Sequence, residues 1–230
     1  NFTNNTVSGS VTGVRVDGSN NDFSNNSVIS SSNAGFSLGG VLNNSIINNN
    51  ISGSAGVGLS LSSFSGFNRV IGNTIQNHSA FYGIYVLGLS NNNTFANNTI
   101  FSNKYGIYLV NCSNNTFYYN NLTNSTTLHA YSDNANNYFN TTNGSGCGLQ
   151  CARGNYWEGV LALNIFDTNS DGFGDNGLQY PYNSTNGGNV SVTVTDWGPI
   201  TTKTTNCFDN DADGAYNTSS DPSCGGYWDC

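Results

Sequence analysis

Asp167-Thr168-Asn169-Ser170-Asp171-Gly172-Phe173-Gly174-Asp175 reads D-x-N-x-D-G-x-G-D. Side-chain oxygens at the first, third and fifth positions, a glycine at the sixth for the sharp turn and an acid at the ninth are what a loop wrapped around Ca2+ requires. Phe173, at the seventh, belongs to the same ligand set. The glutamate usual at the twelfth position is missing, so this is not a full EF-hand loop and other oxygens must complete it. A second acidic loop runs from Cys207 to Cys224. Its D-x-D-x-D-G spacing places Asp209, Asp211 and Asp213 around one turn, with Asp221 available as a fourth ligand. Adjacent carboxylates repel unless a cation neutralises them, so Ca2+ is expected at one or two sites. A Cys207–Cys224 disulfide would close this loop and contribute ~3 kcal/mol. Cys147 and Cys151 suit a small local bridge, which leaves Cys112 and Cys230.

Elsewhere, residues able to do chemistry are sparse. From residue 1 to 146 the acids are Asp17, Asp22 and Asp133, and the bases are Arg15, Arg69 and Lys104. Enzymes acting on polysaccharides group carboxylates, or a carboxylate and a base, on one face. Asp17 and Asp22 share an early loop and could pair, yet nothing one repeat later joins them, so no catalytic residue is assigned. His78 and His129 are isolated and read as loop or surface residues. Tyr85, Tyr108 and His129 recur at one outward position; with Tyr82, Tyr105 and Tyr131 they predict an aromatic stripe. A stripe that size is a contact surface. Its partner is the C-terminal segment, a neighbouring subunit or a sugar.

The composition narrows the class. Only 8% of residues are charged, the net charge is −8 and Lys plus Arg total five. That excludes a nucleic-acid binder, which needs a basic surface. The 43 Asn and 28 Gly exclude a helical bundle or coiled coil. No apolar run approaches the ~18 residues of a membrane span, so no insertion is expected. The chain opens at Asn1-Phe2-Thr3 with no visible signal peptide and reads as mature or trimmed material. Six Cys without C-x2-C pairs and 17 Asn-x-Ser/Thr sequons point to an oxidising, extracellular or cell-surface setting with N-linked glycans.

What positions these residues is a repeat. Phe2, Phe23, Ile46, Val70, Phe95, Phe117 and Phe139 recur at 21 to 25 residues. Five residues after each of the first six comes Val7, Val28, Ile51, Ile75, Ile100 or Leu122. A third column reads apolar-x-apolar: Val14/Val16, Phe36/Leu38, Leu59/Leu61, Ile84/Val86, Ile107/Leu109 and Leu128/Ala130. Period-two alternation means short strands. Three strands per turn cannot bury their own apolar side chains, but stacked turns form a continuous interior. The fold class predicted is all-β: a right-handed parallel β-helix of six to seven coils over residues 1–146. A disulfide- and calcium-stabilised cap over 147–205 and the Cys-bracketed loop over 206–230 complete the chain.

Asparagine follows the same phase. Asn21, Asn44, Asn68, Asn93, Asn115 and Asn137 stand two before the first column, and Asn5, Asn26, Asn49, Asn73, Asn98 and Asn120 two before the second. Stacked at corners, their amides predict ladders along the axis. Asn4, Asn25, Asn43, Asn92, Asn97 and Asn114 are sequon residues immediately preceding a ladder Asn. If the ladder residue turns inward its neighbour turns outward, so glycans should line the corners.

With the coils, Gly154-Asn155-Tyr156-Trp157, the D-x-N-x-D-G-x-G-D loop, Tyr180-Pro181-Tyr182 and Asp196-Trp197-Gly198-Pro199-Ile200 in view, residues 1 to 200 resemble the NosD-type right-handed parallel β-helix repeat family. The resemblance implies a secreted or surface protein. The family's founding role is periplasmic assistance in copper insertion into nitrous oxide reductase. A chain without Met and without a His or Cys cluster does not support that role. The last segment resembles the Cys-framed calcium loops of secreted microbial surface proteins. The first coil begins without a capping helix, so either a longer parent continues upstream or another copy stacks there. The function expected is a structural subunit of the cell surface that self-associates head to tail in a filament or layer. A carbohydrate-binding or adhesive module and, less favoured, a polysaccharide-acting enzyme are the alternatives.

Overall fold

A computed structural model describes residues 1–141 and 152–204, with the backbone of Ala215–Tyr216 and Tyr227–Trp228. The chain coils into three parallel sheets. The first stacks Phe2–Thr3, Asp22–Ser24, Ser45–Ile47, Arg69–Ile71, Thr94–Ala96 and Thr116–Tyr118. The second stacks Thr6–Ser8, Ser27–Ile29, Asn50–Ser52, Thr74–Gln76, Thr99–Phe101 and Asn121–Thr123, then Tyr156–Trp157. The third stacks Thr12–Val16, Ala34–Gly39, Val57–Ser62, Tyr82–Leu87, Tyr105–Val110 and Leu128–Ser132. The result is an all-β parallel solenoid of about six coils. Its only described helical element is a 3-10 turn at Val160–Ala162.

The apolar columns meet in register. Phe23 pairs with Ile46, Ile46 with Val70 and Val70 with Phe95. The second column runs unbroken from Val7 to Leu122 and ends on Trp157. Strands of two or three residues have no stability alone. They persist because each buries one apolar side chain, worth about 1.5–3 kcal/mol, against the coils above and below. Phe95, Phe117 and Phe139 form a stacked pile inside, with centroids 4.5 and 5.1 Å apart.

Strand ends are punctuated by left-handed residues. The position before each second-corner ladder Asn is Asn4, Asn25, Asn48, Gly72, Asn97 or Tyr119, all with φ between 54° and 68°. Asn adopts this region more readily than other side-chain-bearing residues, which is why it saturates the corners.

The third column departs from expectation at its last coil. Ile107 and Leu109 pair with Ala130 and Ser132, while Leu128 pairs with Tyr105. The last strand is therefore shifted by two residues from the expected Leu128/Ala130 alignment. Beyond it, the segment from residue 152 closes the end: Trp157, Val160, Ile165 and Val194 are buried, and Tyr182 stacks on Trp157 at 5.0 Å. No helix among the described residues is long and apolar enough to cross a membrane.

Candidate functional site

Both amide ladders form. At the second corner the backbone N–H and the Nδ2 of each Asn donate to Oδ1 of the next, at 2.8–3.2 Å, from Asn5 through Asn26, Asn49, Asn73, Asn98 and Asn120 to Asn155. The first-corner ladder runs from Asn21 to Asn137. Asn4, Asn25, Asn43, Asn92, Asn97 and Asn114 are exposed, although all their ladder neighbours except Asn5 are buried. All six have left-handed backbones, which turn the side chain outward.

The ladder does not end on an asparagine. Asn155 donates its backbone N–H to Asp196 Oδ2 at 2.8 Å, Trp157 Nε1 donates to the same oxygen at 2.8 Å, and Gly198 N–H donates to Oδ1 at 2.9 Å. The Gly154–Trp157 and Asp196–Ile200 motifs are thus two halves of one buried cap. Burial pushes the Asp196 carboxyl up to about 7, with these N–H groups pulling the other way. Asn155 was legible as a ladder residue, because it stands two before apolar Trp157 as every other second-corner Asn stands before its column. Asp196 was not, because its partners lie about forty residues away in the chain.

In the acidic loop, Asp167 Oδ1 accepts from Asp171 N–H and Oδ2 from Gly172 N–H, Asn169 Oδ1 accepts from Asp171 N–H, and Asp171 Oδ1 accepts from Phe173 N–H. Arg153 lies 2.7 Å from Asp171 Oδ2 and 4.5 Å above the Phe173 ring. Asp175 Oδ1 accepts from Thr168, while its Oδ2 is buried with no partner. Among the described residues no three His, Cys, Asp or Glu side chains converge as a metal site. Asp209, Asp211, Asp213, Asp221, Cys147, Cys151, Cys207 and Cys224 lie outside the described residues.

The remaining candidates are redistributed. Asp17 does not join Asp22; Arg15 holds it at 2.8 Å. His78 and His129 are not surface residues. Both are buried, and burial lowers their pKa. Nor does His129 belong to the stripe, because the two-residue shift pairs Tyr108 with Tyr131 and leaves His129 in the file of Gly83 and Gly106. The stripe is Tyr85, Tyr108 and Tyr131. Cys112 is buried, donates to Val86 O at 3.6 Å, and has its thiol pushed up to about 12 by burial.

A comparison with protein families matches the one described as periplasmic copper-binding protein (NosD) over residues 1–162. That stretch holds every coil and stops before the acidic loop. No curated protein and no solved structure matches the chain.

Proposed function

The chain belongs to the NosD family of periplasmic or extracellular parallel β-helix proteins, and from that premise we propose that it is a structural glycoprotein of the cell surface. One observation carries this reading: six sequon asparagines project into solvent at the corners of a rod whose interior is held by buried amide ladders. Rigid ladders inside and glycans outside suit a load-bearing, protease-resistant element rather than a catalyst. Intact-mass measurement of native protein before and after enzymatic deglycosylation tests it. Several glycan-sized losses are expected; one unmodified mass near 24.4 kDa would refute the glycoprotein.

Assembly belongs to the same proposal. The parallel sheets share one axis, along which copies stack head to tail into a filament or layer, the first coil of one meeting the closed end of the next. Negative-stain microscopy of native material should reveal rods longer than one chain, and monodisperse single particles would overturn the assembly. Calcium is proposed at Asp167, Asn169, Asp171, Asp175 and the carbonyl of Phe173. The donors are all oxygen, as Ca2+ prefers, and the unpartnered Asp175 Oδ2 needs a positive neighbour. Addition of Ca2+ to chelator-treated protein should raise its unfolding temperature.

Copper, which the family description names, finds no fitting donor set among the described residues. Met is absent from the sequence. His78 holds Ser54 O at 3.3 Å through Nδ1, and Cys112 remains a thiol where copper wants a thiolate.

A further inference from the structure

The outer face of the third sheet changes character halfway along. Its outward file runs Arg15, Ser37, Ser60, Tyr85, Tyr108, Tyr131, each in register with the next. Over the first three coils the side chains are short, or, for Arg15, tied to Asp17. Over the last three, tyrosines stand up from the sheet. Tyr108 stacks on Tyr131 at 4.5 Å and on Tyr82 at 4.4 Å, so the rings within the pile cover one another's faces. A continuous stripe of open ring faces is therefore not what the molecule presents. The pile ends at Tyr82 and Tyr85, which look onto the third coil, where Val57 and Ser60 stand in place of rings.

At that step lies a recess of about 430 Å3, walled by Phe81, Tyr82 and Tyr85, with Ala55 and Val57 at its base and Ser32, Asn33 and Gly56 along its rim towards the earlier coils. A second recess of about 450 Å3 adjoins it through Asn33 and continues over Ser37 and Ser62 to Arg15 and Asp17. Three coil spacings, roughly 14 Å, separate the tyrosine wall from the ion pair.

We propose that this step binds a neutral, linear oligosaccharide lying along the solenoid axis. A pyranose ring offers an apolar C–H face and a rim of hydroxyls. Here an aromatic wall meets the first and a border of Ser and Asn groups, each able to donate and accept, meets the second. The charge balance selects neutral sugars. The only ionic groups lining the two recesses are Arg15 and Asp17, which neutralise each other at 2.8 Å. A uronate chain would find no unpaired cation. An extended peptide would find no series of side-chain pockets on the short-chained floor. This role is independent of the glycoprotein and filament reading: the deglycosylation step below removes a competing occupant where glycans are present and leaves an unglycosylated chain unchanged.

The test is calorimetric titration of deglycosylated full-length protein with cellohexaose, laminarihexaose and mannohexaose, with hexagalacturonate as the charged probe. Deglycosylation removes the chain's own glycans as competing occupants. At least one neutral hexasaccharide should bind, with an affinity indifferent to salt. Tyr82→Ala should weaken it about tenfold or more, whereas Tyr82→Phe and Tyr131→Ala, at the far end of the pile, should stay within about threefold. Asn33→Trp, at the exposed residue the two recesses share, should abolish binding and does not depend on Tyr82→Ala folding. The proposal is overturned if no neutral probe binds at about 5 mM. It is equally overturned if hexagalacturonate binds more tightly, or if Tyr131→Ala costs as much as Tyr82→Ala.

Discussion

Between the first and second sheets the chain turns on one asparagine per coil, and the two apolar columns are always five residues apart, from Phe2 and Val7 to Phe117 and Leu122. Between the second and third sheets the turn is built on Ser31, Ser54, His78, Asn103 and Ser125. There the spacing varies from seven, Val7 to Val14, to nine, Ile75 to Ile84. The hydrogen bonds differ as the spacings do. A second-corner amide accepts twice from the coil before it, donates to the coil after it and donates again to a carbonyl, as Asn98 does to Val70 O at 2.9 Å. At the third corner the hydroxyls of Ser31, Ser54 and Ser125 and Nε2 of His78 are buried without partners. Where that corner carries an asparagine the bond returns: Asn103 Oδ1 accepts from His78 N–H at 3.0 Å. The difference is one of reach. At this corner the hydroxyl on Cβ stops short of the neighbouring coil and an amide one carbon further out does not. Between the third and first sheets, by contrast, the Ser65 and Ser90 hydroxyls do accept from the coil before them.

The largest test of this contrast is Asn98→Ala. It strips acceptors from the backbone and side chain of Asn73 at once, and it should cost about 4 kcal/mol in urea denaturation, since each buried polar group left unpaired costs about 1–3 kcal/mol. A loss below about 1 kcal/mol would mean the ladder follows the fold instead of holding it.

The third corner and its adjoining sheet depend on close approach instead. A Cβ on Gly58 would lie 2.6 Å from Gly83 O and 2.8 Å from His78 Nε2. Gly58→Ala should therefore destabilise by about 3 kcal/mol through overpacking, read by the same denaturation curve.

The end of the second-corner ladder carries a pH signature. The Asp196 carboxyl titrates near 7 in the fold against an unfolded value of 3.8, so the folded cap binds its proton more tightly than the unfolded chain. The stability it contributes is complete below about pH 4 and is lost as pH rises through about 7, by at most ~1.4 kcal/mol per pH unit. Thermal unfolding from pH 4 to 8 should show that decline, and Asp196→Asn should flatten it.

The smallest expected effect is Ser54→Ala, within about 0.5 kcal/mol, because its hydroxyl has no partner to lose. Ser54→Asn should stabilise by a similar amount. Equal losses at Ser54 and Asn98 would erase the distinction between the corners.

The coil was legible in the sequence because every turn poses the same local demand. One apolar residue must face in, one amide must reach the next turn and one residue must accept a left-handed backbone. Identical demands at a fixed distance leave a period, and Phe23, Ile46 and Val70 stack where that period puts them. At His129 the period no longer decides the register. Leu128 and Ala130 satisfy the apolar-x-apolar pattern better than Ala130 and Ser132 do, yet the strand pairs through the second two, and the tail is what overrides the pattern. Ser191 N–H donates to Ala130 O at 3.0 Å and Ser132 N–H to Ser191 Oγ at 3.0 Å, which holds the strand in the register that makes Tyr131, not His129, the last ring of the pile.

Composition and spacing were enough to establish a stacked parallel coil with amide corners, since each coil's contacts repeat those of the coil before. Which carboxylate closes the amide ladder, which tyrosine faces are covered and where the open step falls were settled only by folding. Those features join segments that share no period, and a contact made once leaves no recurrence in the chain to be read.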